Sequence, residues 1–374
     1  MREHMDERTS GHGEEHTSGH MRERLRDHLR GLELTTRLLK ARVAWRHPLY
    51  LVHALTARCN ARCGFCAWNP DFYDPRDQLT TPQIEALYTS ARRAGFVGVS
   101  MWGGEPLLHR DFERVSAHAK GLGLETHLVT NGFLLEKKLD AVASHVDRVC
   151  VSLDYASPRH DEVRRIPGLF DAIVRGVRAL RARAPDKPIL FVCTLMRDNV
   201  DARSLRALAE LCEELSVLGV WNALREDAAT SDGPDLREFS PEAGLLREAF
   251  VELSRLKRRG YPILNSNTHL DMLAAGPPVY RCHWPKLMLP IEANGDVVDC
   301  MHWGTRPVGN VRDTPFEELL ASPRLRALAG REGEACHRCV SLHRVEVSEV
   351  WEGNLEPLRS WRMLARRPHA ASPG

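Results

Sequence analysis

Between Leu51 and Ala223 short apolar runs alternate with amphipathic stretches six times. The apolar runs read as strands over Leu51–Leu55, Gly98–Trp102, Glu125–Thr130, Arg148–Asp154, Ile189–Leu195 and Val220–Ala223. Helical spacing occupies Thr81–Arg93, Asp111–Lys120, Leu134–Ser144, Leu169–Arg183 and Ser204–Leu218 between them. Thr81-Pro82 and Ser240-Pro241 read as helix starts, a capping residue followed by proline. Strict β-α alternation demands a parallel sheet with right-handed crossovers. Periodicity alone fits an open doubly wound sheet or a barrel. At 374 residues the chain has room for one large domain and something smaller.

Apolar residues at 43% and charged residues at 27% describe a globular chain with a real core. A net charge of +2 excludes a nucleic-acid binder that works by bulk basicity. No apolar run nears the roughly 18 residues of a spanning helix, and no secretory signal heads the chain. Ten cysteines without an export signal point to metal ligation or catalysis in a reducing, cytoplasmic compartment.

Residues 1–20 are polar and expected to stay unfolded; His4, His12, His16 and His20 there can bind metal or simply be solvated. An N-terminal segment over 21–50 follows, helical over 21–46. Met21, Leu25, Leu29 and Leu32 share a face, and eight Arg or Lys stand against three Asp or Glu. Such a helix packs on its own domain or lies on a membrane surface. The parallel unit is expected over 51–260. Tyr261–Tyr280 reads as loop. A small cysteine-rich α+β unit is expected over 280–345, opening with a hairpin of Leu287–Ile291 and Asp296–Asp299 around Asn294-Gly295. Residues 362–374 read as a frayed tail.

Cys59, Cys63 and Cys66 follow the first strand directly. Three thiols in one loop leave a fourth metal position open, at the strand end where βα-barrel sites form. On the cysteines alone, a structural zinc site taking His53 as fourth ligand is the alternative. This C-x3-C-x2-C loop, with Phe65 before its last cysteine, resembles the signature of the radical S-adenosylmethionine (SAM) enzymes. The resemblance implies a 4Fe–4S cluster whose open iron binds SAM, cleavage of SAM to a 5′-deoxyadenosyl radical, and a partial (β/α)6 barrel. It also implies a flavodoxin- or ferredoxin-like electron donor. Gly103, Gly104, Glu105 and Pro106 end the second strand and resemble the family's GGEP element, which meets the SAM amino group. Asn131 in Thr130-Asn131-Gly132, and Ser152 and Asp154 at the fourth strand, match further SAM-contact positions. Arg164 is the match for a partner of the SAM carboxylate, with Arg165 an equally placed rival.

Cys282, Cys300, Cys336 and Cys339 form a second set, with Cys300 after the hairpin and the last two as C-x2-C. Four thiolates close a zinc site or saturate a 4Fe–4S cluster equally well. The arrangement, with Gly309-Asn310-Val311 and a helix from Pro315, looks like the twitch domain, the shortened SPASM domain. That implies one fully ligated auxiliary 4Fe–4S cluster that passes electrons. No cysteine follows Cys339, so a second auxiliary cluster lacks ligands, as in the inosamine dehydrogenases that this part resembles. Cys150, Cys193 and Cys212 read as core residues.

The expected activity is therefore radical SAM chemistry on a carbohydrate, another natural product, a peptide or a lipid. A non-catalytic iron–sulfur or zinc protein is the alternative from another class. A peptide substrate would call for a separate leader-recognition protein, since 58 residues before Cys59 are short for a fused one. The charged loop Leu224–Phe239 is expected at the substrate mouth or as a solvated loop. No catalytic base can be named from the sequence.

Overall fold

The computed structural model describes residues 47–66, 77–224, 236–298, 307–330 and 339–365. The helix expected over 21–46, the tail before it, most of the charged loop and two of the second-set cysteines, Cys300 and Cys336, lie outside them.

Among the described residues nine strands form one sheet in the order β6-β5-β4-β3-β2-β1-β7-β8-β9. The first six are β1 (Tyr50–Thr56), β2 (Gly98–Gly103), β3 (Glu125–Thr130), β4 (Arg148–Ser152), β5 (Ile189–Leu195) and β6 (Leu218–Ala223). Each is parallel to the next, as β-α alternation requires. The order runs consecutively with no reversal. A doubly wound sheet reverses at a switch point; a consecutive order keeps every crossover helix on one face and curls the sheet into a partial barrel.

Alternation along the strands makes two faces. Leu51, His53 and Leu55 of β1, Met101 of β2, Leu128 of β3, Phe191 of β5 and Trp221 of β6 are buried on the helix side. The other face is part-exposed: Ser100 and Trp102, Glu125 and His127, Arg148 and Ser152, Thr194 and Asn222 look into the barrel. Its floor is an ionic cluster. The Tyr50 hydroxyl donates to Glu125 at 2.5 Å, and His127 and Arg148 pair with the same carboxylate at 2.8 and 3.3 Å.

The hairpin expected near 287–299 forms, but it is no separate sheet. β7 (Met288–Ile291) lies parallel beside β1, with Tyr50 opposite Met288 and His53 opposite Ile291. β8 (Asp296–Val297) and β9 (Gly309–Asn310) follow antiparallel. Gly295 takes φ +94 in the turn, a conformation glycine reaches without strain.

Several local expectations shift. Thr80, not Thr81, precedes the helix Thr81–Ala94, and the Gln83 side chain accepts from its N–H at 2.8 Å. The helix after Ser240-Pro241 begins at Ala243. That expected over Leu134–Ser144 is regular only over Leu139–His145. The stretch 261–280, read as loop for its Gly-Pro-Pro, holds the helix Asn267–Ala275, whose cap Ser266 accepts from the His269 N–H. The helices Leu342–Glu352 and Glu356–Trp361 follow the last cysteine. Residues 362–365, read as fraying, make a 3-10 turn, and Met363 and Leu364 pack with Leu190, Val220 and Leu342 in the barrel.

Candidate active site

The three cysteines stand where β1 ends, and the chain between them is pinned from two sides. Asn60 accepts from the Asn131 side chain at 2.8 Å. The Arg62 N–H donates to the Arg164 carbonyl at 3.2 Å, and the Cys66 N–H to the Cys63 carbonyl. Cys59 Sγ accepts from the Ala61 N–H at 3.4 Å. The stem of the loop rests on the end of β2: Gly104 N–H donates to Thr56 and Glu105 N–H to Arg58, at 2.9 and 2.8 Å. A Cβ at Gly104 would stand 2.2 Å from the Arg58 carbonyl oxygen. The glycine pair thus serves first to let β2 approach the chain's own loop.

Glu105 is fully buried. Its carboxylate accepts from Thr130 Oγ1 and the Asn131 N–H, both at 2.7 Å, and from the Leu107 N–H at 3.0 Å. Burial outweighs those bonds and pushes its pKa up to about 7. Pro106 opens a 3-10 turn beyond it, with Pro106 and Leu107 buried and Leu108 exposed. Asn131 is buried and joins two motifs, its backbone on Glu105 and its side chain on the cysteine loop.

Arg164 and Arg165 separate cleanly. Arg165 turns left-handed at φ 55 and faces solvent. Arg164 donates from Nε to Asp154 Oδ2 at 2.7 Å and holds its guanidinium 5.0 Å from the Phe65 ring centre. Asp154 is buried and also accepts from the Thr194 N–H at 2.9 Å. Ser152 is part-exposed on the barrel side of β4. Phe65 packs with Tyr155, Met196 and Leu236, and Phe239 lies edge-on to it at 6.2 Å. Leu236 and Phe239, in the described part of the charged loop's end, thus pack onto the cysteine loop.

His53 is not a ligand candidate. It sits on the helix side of β1 with Nδ1 2.9 Å from the Tyr88 hydroxyl, away from the cysteine loop. Among the described residues no three His, Cys, Asp or Glu side chains converge as a single-ion site requires. A cubane needs no such convergence, because each cysteine meets a different iron. Burial pushes the Cys59 thiol up to about 11 and raises Cys63, so their thiolates depend on the positive charge of bound metal. A sulfur-only donor set, pinned by backbone bonds and part-exposed at the end of β1, fits an iron–sulfur cluster with one exchangeable position. In the second set, Cys339 is buried and packs with Tyr280 and Val345, with Cys282 against them. Cys193 and Cys212 are buried, and Cys150 is part-buried on β4.

Residues 54–212 match the radical SAM superfamily, and residues 282–340 match the SPASM iron–sulfur cluster-binding domain. The chain belongs to the radical SAM enzymes. Its sequence is 26% identical over 329 residues to the pre-heme d1 synthase of Dinoroseobacter shibae, covering 76% of this chain and 78% of that one. It is 24% identical over 325 residues to the Fe-coproporphyrin III synthase of Methanosarcina barkeri, covering 77% and 80%. In fold it resembles Streptococcus suis SuiB bound to S-adenosylmethionine, with TM-score 0.62, 16% identity and coverage of 78% and 70%. It likewise resembles anSMEcpe with bound AdoMet, with TM-score 0.58, 14% identity and coverage of 85% and 99%. This radical SAM enzyme thus carries a SPASM-type domain, and its barrel is of the partial kind expected. No helix among the described residues is long and apolar enough to cross a membrane.

Proposed function

We propose that this enzyme oxidises an organic substrate by radical SAM chemistry, with two 4Fe–4S clusters. Cys59, Cys63 and Cys66 hold the SAM-binding cluster; Cys282, Cys300, Cys336 and Cys339 hold the closed one. Bound, the first cluster with SAM supplies a radical that takes a substrate hydrogen atom, and the second supplies a one-electron acceptor. The chain's own part is to position and to exclude water. Glu105 and Asn131 fix the amino end of SAM, Arg164 and Ser152 meet its carboxylate and ribose, and Asp154 holds Arg164 in place. Phe65 and Pro106 wall the site. The observation that carries this reading is the chain Glu105–Asn131–Asn60, which ties the GGEP element and β3 to the cysteine loop.

The test is anaerobic reconstitution. The wild type is expected to hold about eight irons, four per cluster, and to release 5′-deoxyadenosine when reduced. The Cys59→Ala, Cys63→Ala, Cys66→Ala variant should keep half the iron and lose all SAM cleavage. Release of 5′-deoxyadenosine by that variant overturns the assignment. For the substrate, two relatives named for tetrapyrrole products span three quarters of the chain. Tetrapyrroles of the kind that would be converted to such products therefore head the panel for stimulated 5′-deoxyadenosine release, ahead of peptides, aminocyclitols and lipids. A ferredoxin- or flavodoxin-like protein is the proposed electron donor.

A further inference from the structure

Glu292 follows β7 on the barrel side of the sheet. Parallel partners share a face, and Ile291 pairs with His53, which looks toward the helices. The next residue, Glu292, therefore shares the opposite face with Ala54, which leads into the cysteine loop. Ala54 pairs in register with Trp102 of β2. Ala54, Ala57 and the neighbouring Ala293 make an apolar patch against which Trp102 and Cys66 pack. This is the mouth of the barrel, at the end of β1 that leads into the first cysteine loop. The backbone of Glu292 is spent on the hairpin, its N–H donating to the Asp296 carbonyl and its carbonyl accepting from Gly295. In its side chain, Oε2 is buried and has no hydrogen-bond partner among the described residues.

A buried carboxyl oxygen without a donor is costly unless something outside the chain supplies one. We infer that Glu292 is the substrate-facing carboxyl of the mouth, a proton-holding group that meets an N–H or O–H of the molecule undergoing oxidation. This rests on the oxidative reading above. In that reading the substrate loses a hydrogen atom to the radical, one electron to the closed 4Fe–4S cluster, and one proton. The ionised fraction of Glu292, minor at pH 7 and growing as pH rises, takes the proton and becomes the carboxylic acid, which balances the step. Burial, with the Asp296 carboxylate across the hairpin, pushes its pKa up to about 8, suited to taking and returning a proton near neutrality. Asp296 is the charged group found to act on it; Ala54 and Trp102 on the adjoining strands do not titrate.

Dicyclohexylcarbodiimide, an apolar reagent for protonated carboxyls, tests this on the reconstituted holoenzyme. Peptide mass mapping should find Glu292 modified at pH 7, with labelling lower by about tenfold or more at pH 9.5 as the acid ionises. Glu292→Gln should remove that label while keeping iron content, SAM affinity and substrate-free SAM cleavage by dithionite within twofold of wild type. With a tetrapyrrole or any other panel compound that stimulates wild-type cleavage, the variant should still release 5′-deoxyadenosine but form less than a tenth of the oxidised product. No label at pH 7, label indifferent to pH, or full product from the variant overturns the inference. Loss of iron or of SAM affinity in Glu292→Gln also overturns it, by making the residue structural. Failure of the wild type itself to cleave SAM would instead sink the parent reading.

Discussion

Glu105 carries two duties that pull in opposite directions. It clamps Thr130, Asn131 and Leu107, and in the proposed site it also meets the SAM ammonium. Removing it as Glu105→Ala strands three buried donors at about 1–3 kcal/mol each, so lost SAM binding in that variant would be confounded by lost stability. Glu105→Gln is the sharper probe. The folded pKa, about 7, lies above the ordinary 4.5. The folded state therefore holds its proton longer than the unfolded chain. In the SAM-free protein this group's contribution is complete below about pH 4.5 and declines up to about pH 7, by roughly 3 kcal/mol. Denaturant titrations between pH 5 and 8 should show that slope in wild type and a flatter line in Glu105→Gln. SAM affinity should rise over the same range only in wild type, because the ammonium favours the ionised carboxylate.

Gly104 shows what the sequence conveyed and what it hid. The residues GGEP mark the site, and a need for close approach follows from the glycines. That the approach is to Arg58 and Thr56 rather than to a ligand needed coordinates. Gly104→Ala should cost about 1–3 kcal/mol or more and lower the iron bound by the first cysteine set. Gly121→Ala, where a methyl meets nothing within 4 Å, should leave iron content unchanged.

Among elements, the parallel strands were legible because each is an apolar run of ordinary length, and all six lie within two residues of the expected ends at both termini. Elements defined by distant partners were not. The helix Asn267–Ala275 is short and flanked by turn residues, so local pattern hid it. Arg164 and Arg165 are neighbours in one run, and only the left-handed turn at Arg165 decides which meets Asp154. The outer edge of β6 is covered by chain that reads as loop. Gly219 exchanges hydrogen bonds with Pro262 and Leu264, and the Asn265 amide bonds both the N–H and the carbonyl of Trp221. Trp221 is among the largest fully buried side chains. Trp221→Ala should destabilise the barrel by about 3–5 kcal/mol, measured by chemical denaturation. Asn265→Leu should cost less while loosening amide-exchange protection along β6.

For the whole molecule, the second cysteine set has a proposed role that substitution can separate from folding. Cys336→Ala with Cys339→Ala should remove four irons and abolish oxidised product while SAM cleavage persists in part. The measurement is the ratio of product to 5′-deoxyadenosine, taken on protein that still binds SAM. An unchanged ratio would make the closed cluster a structural staple.

The pairing of β7 with β1 has a consequence for how the molecule is made. A ribosome releases β1 early and Met288–Ile291 late, so most of the barrel emerges while one side of β1 has no partner. An unpaired strand edge invites other chains, and long-range pairing is slow to form. The strand bearing the first cysteine loop thus waits for the far end of the polypeptide before its sheet is complete. Nascent chains halted before residue 288 should aggregate through that edge, and metallocluster assembly would then follow synthesis rather than accompany it.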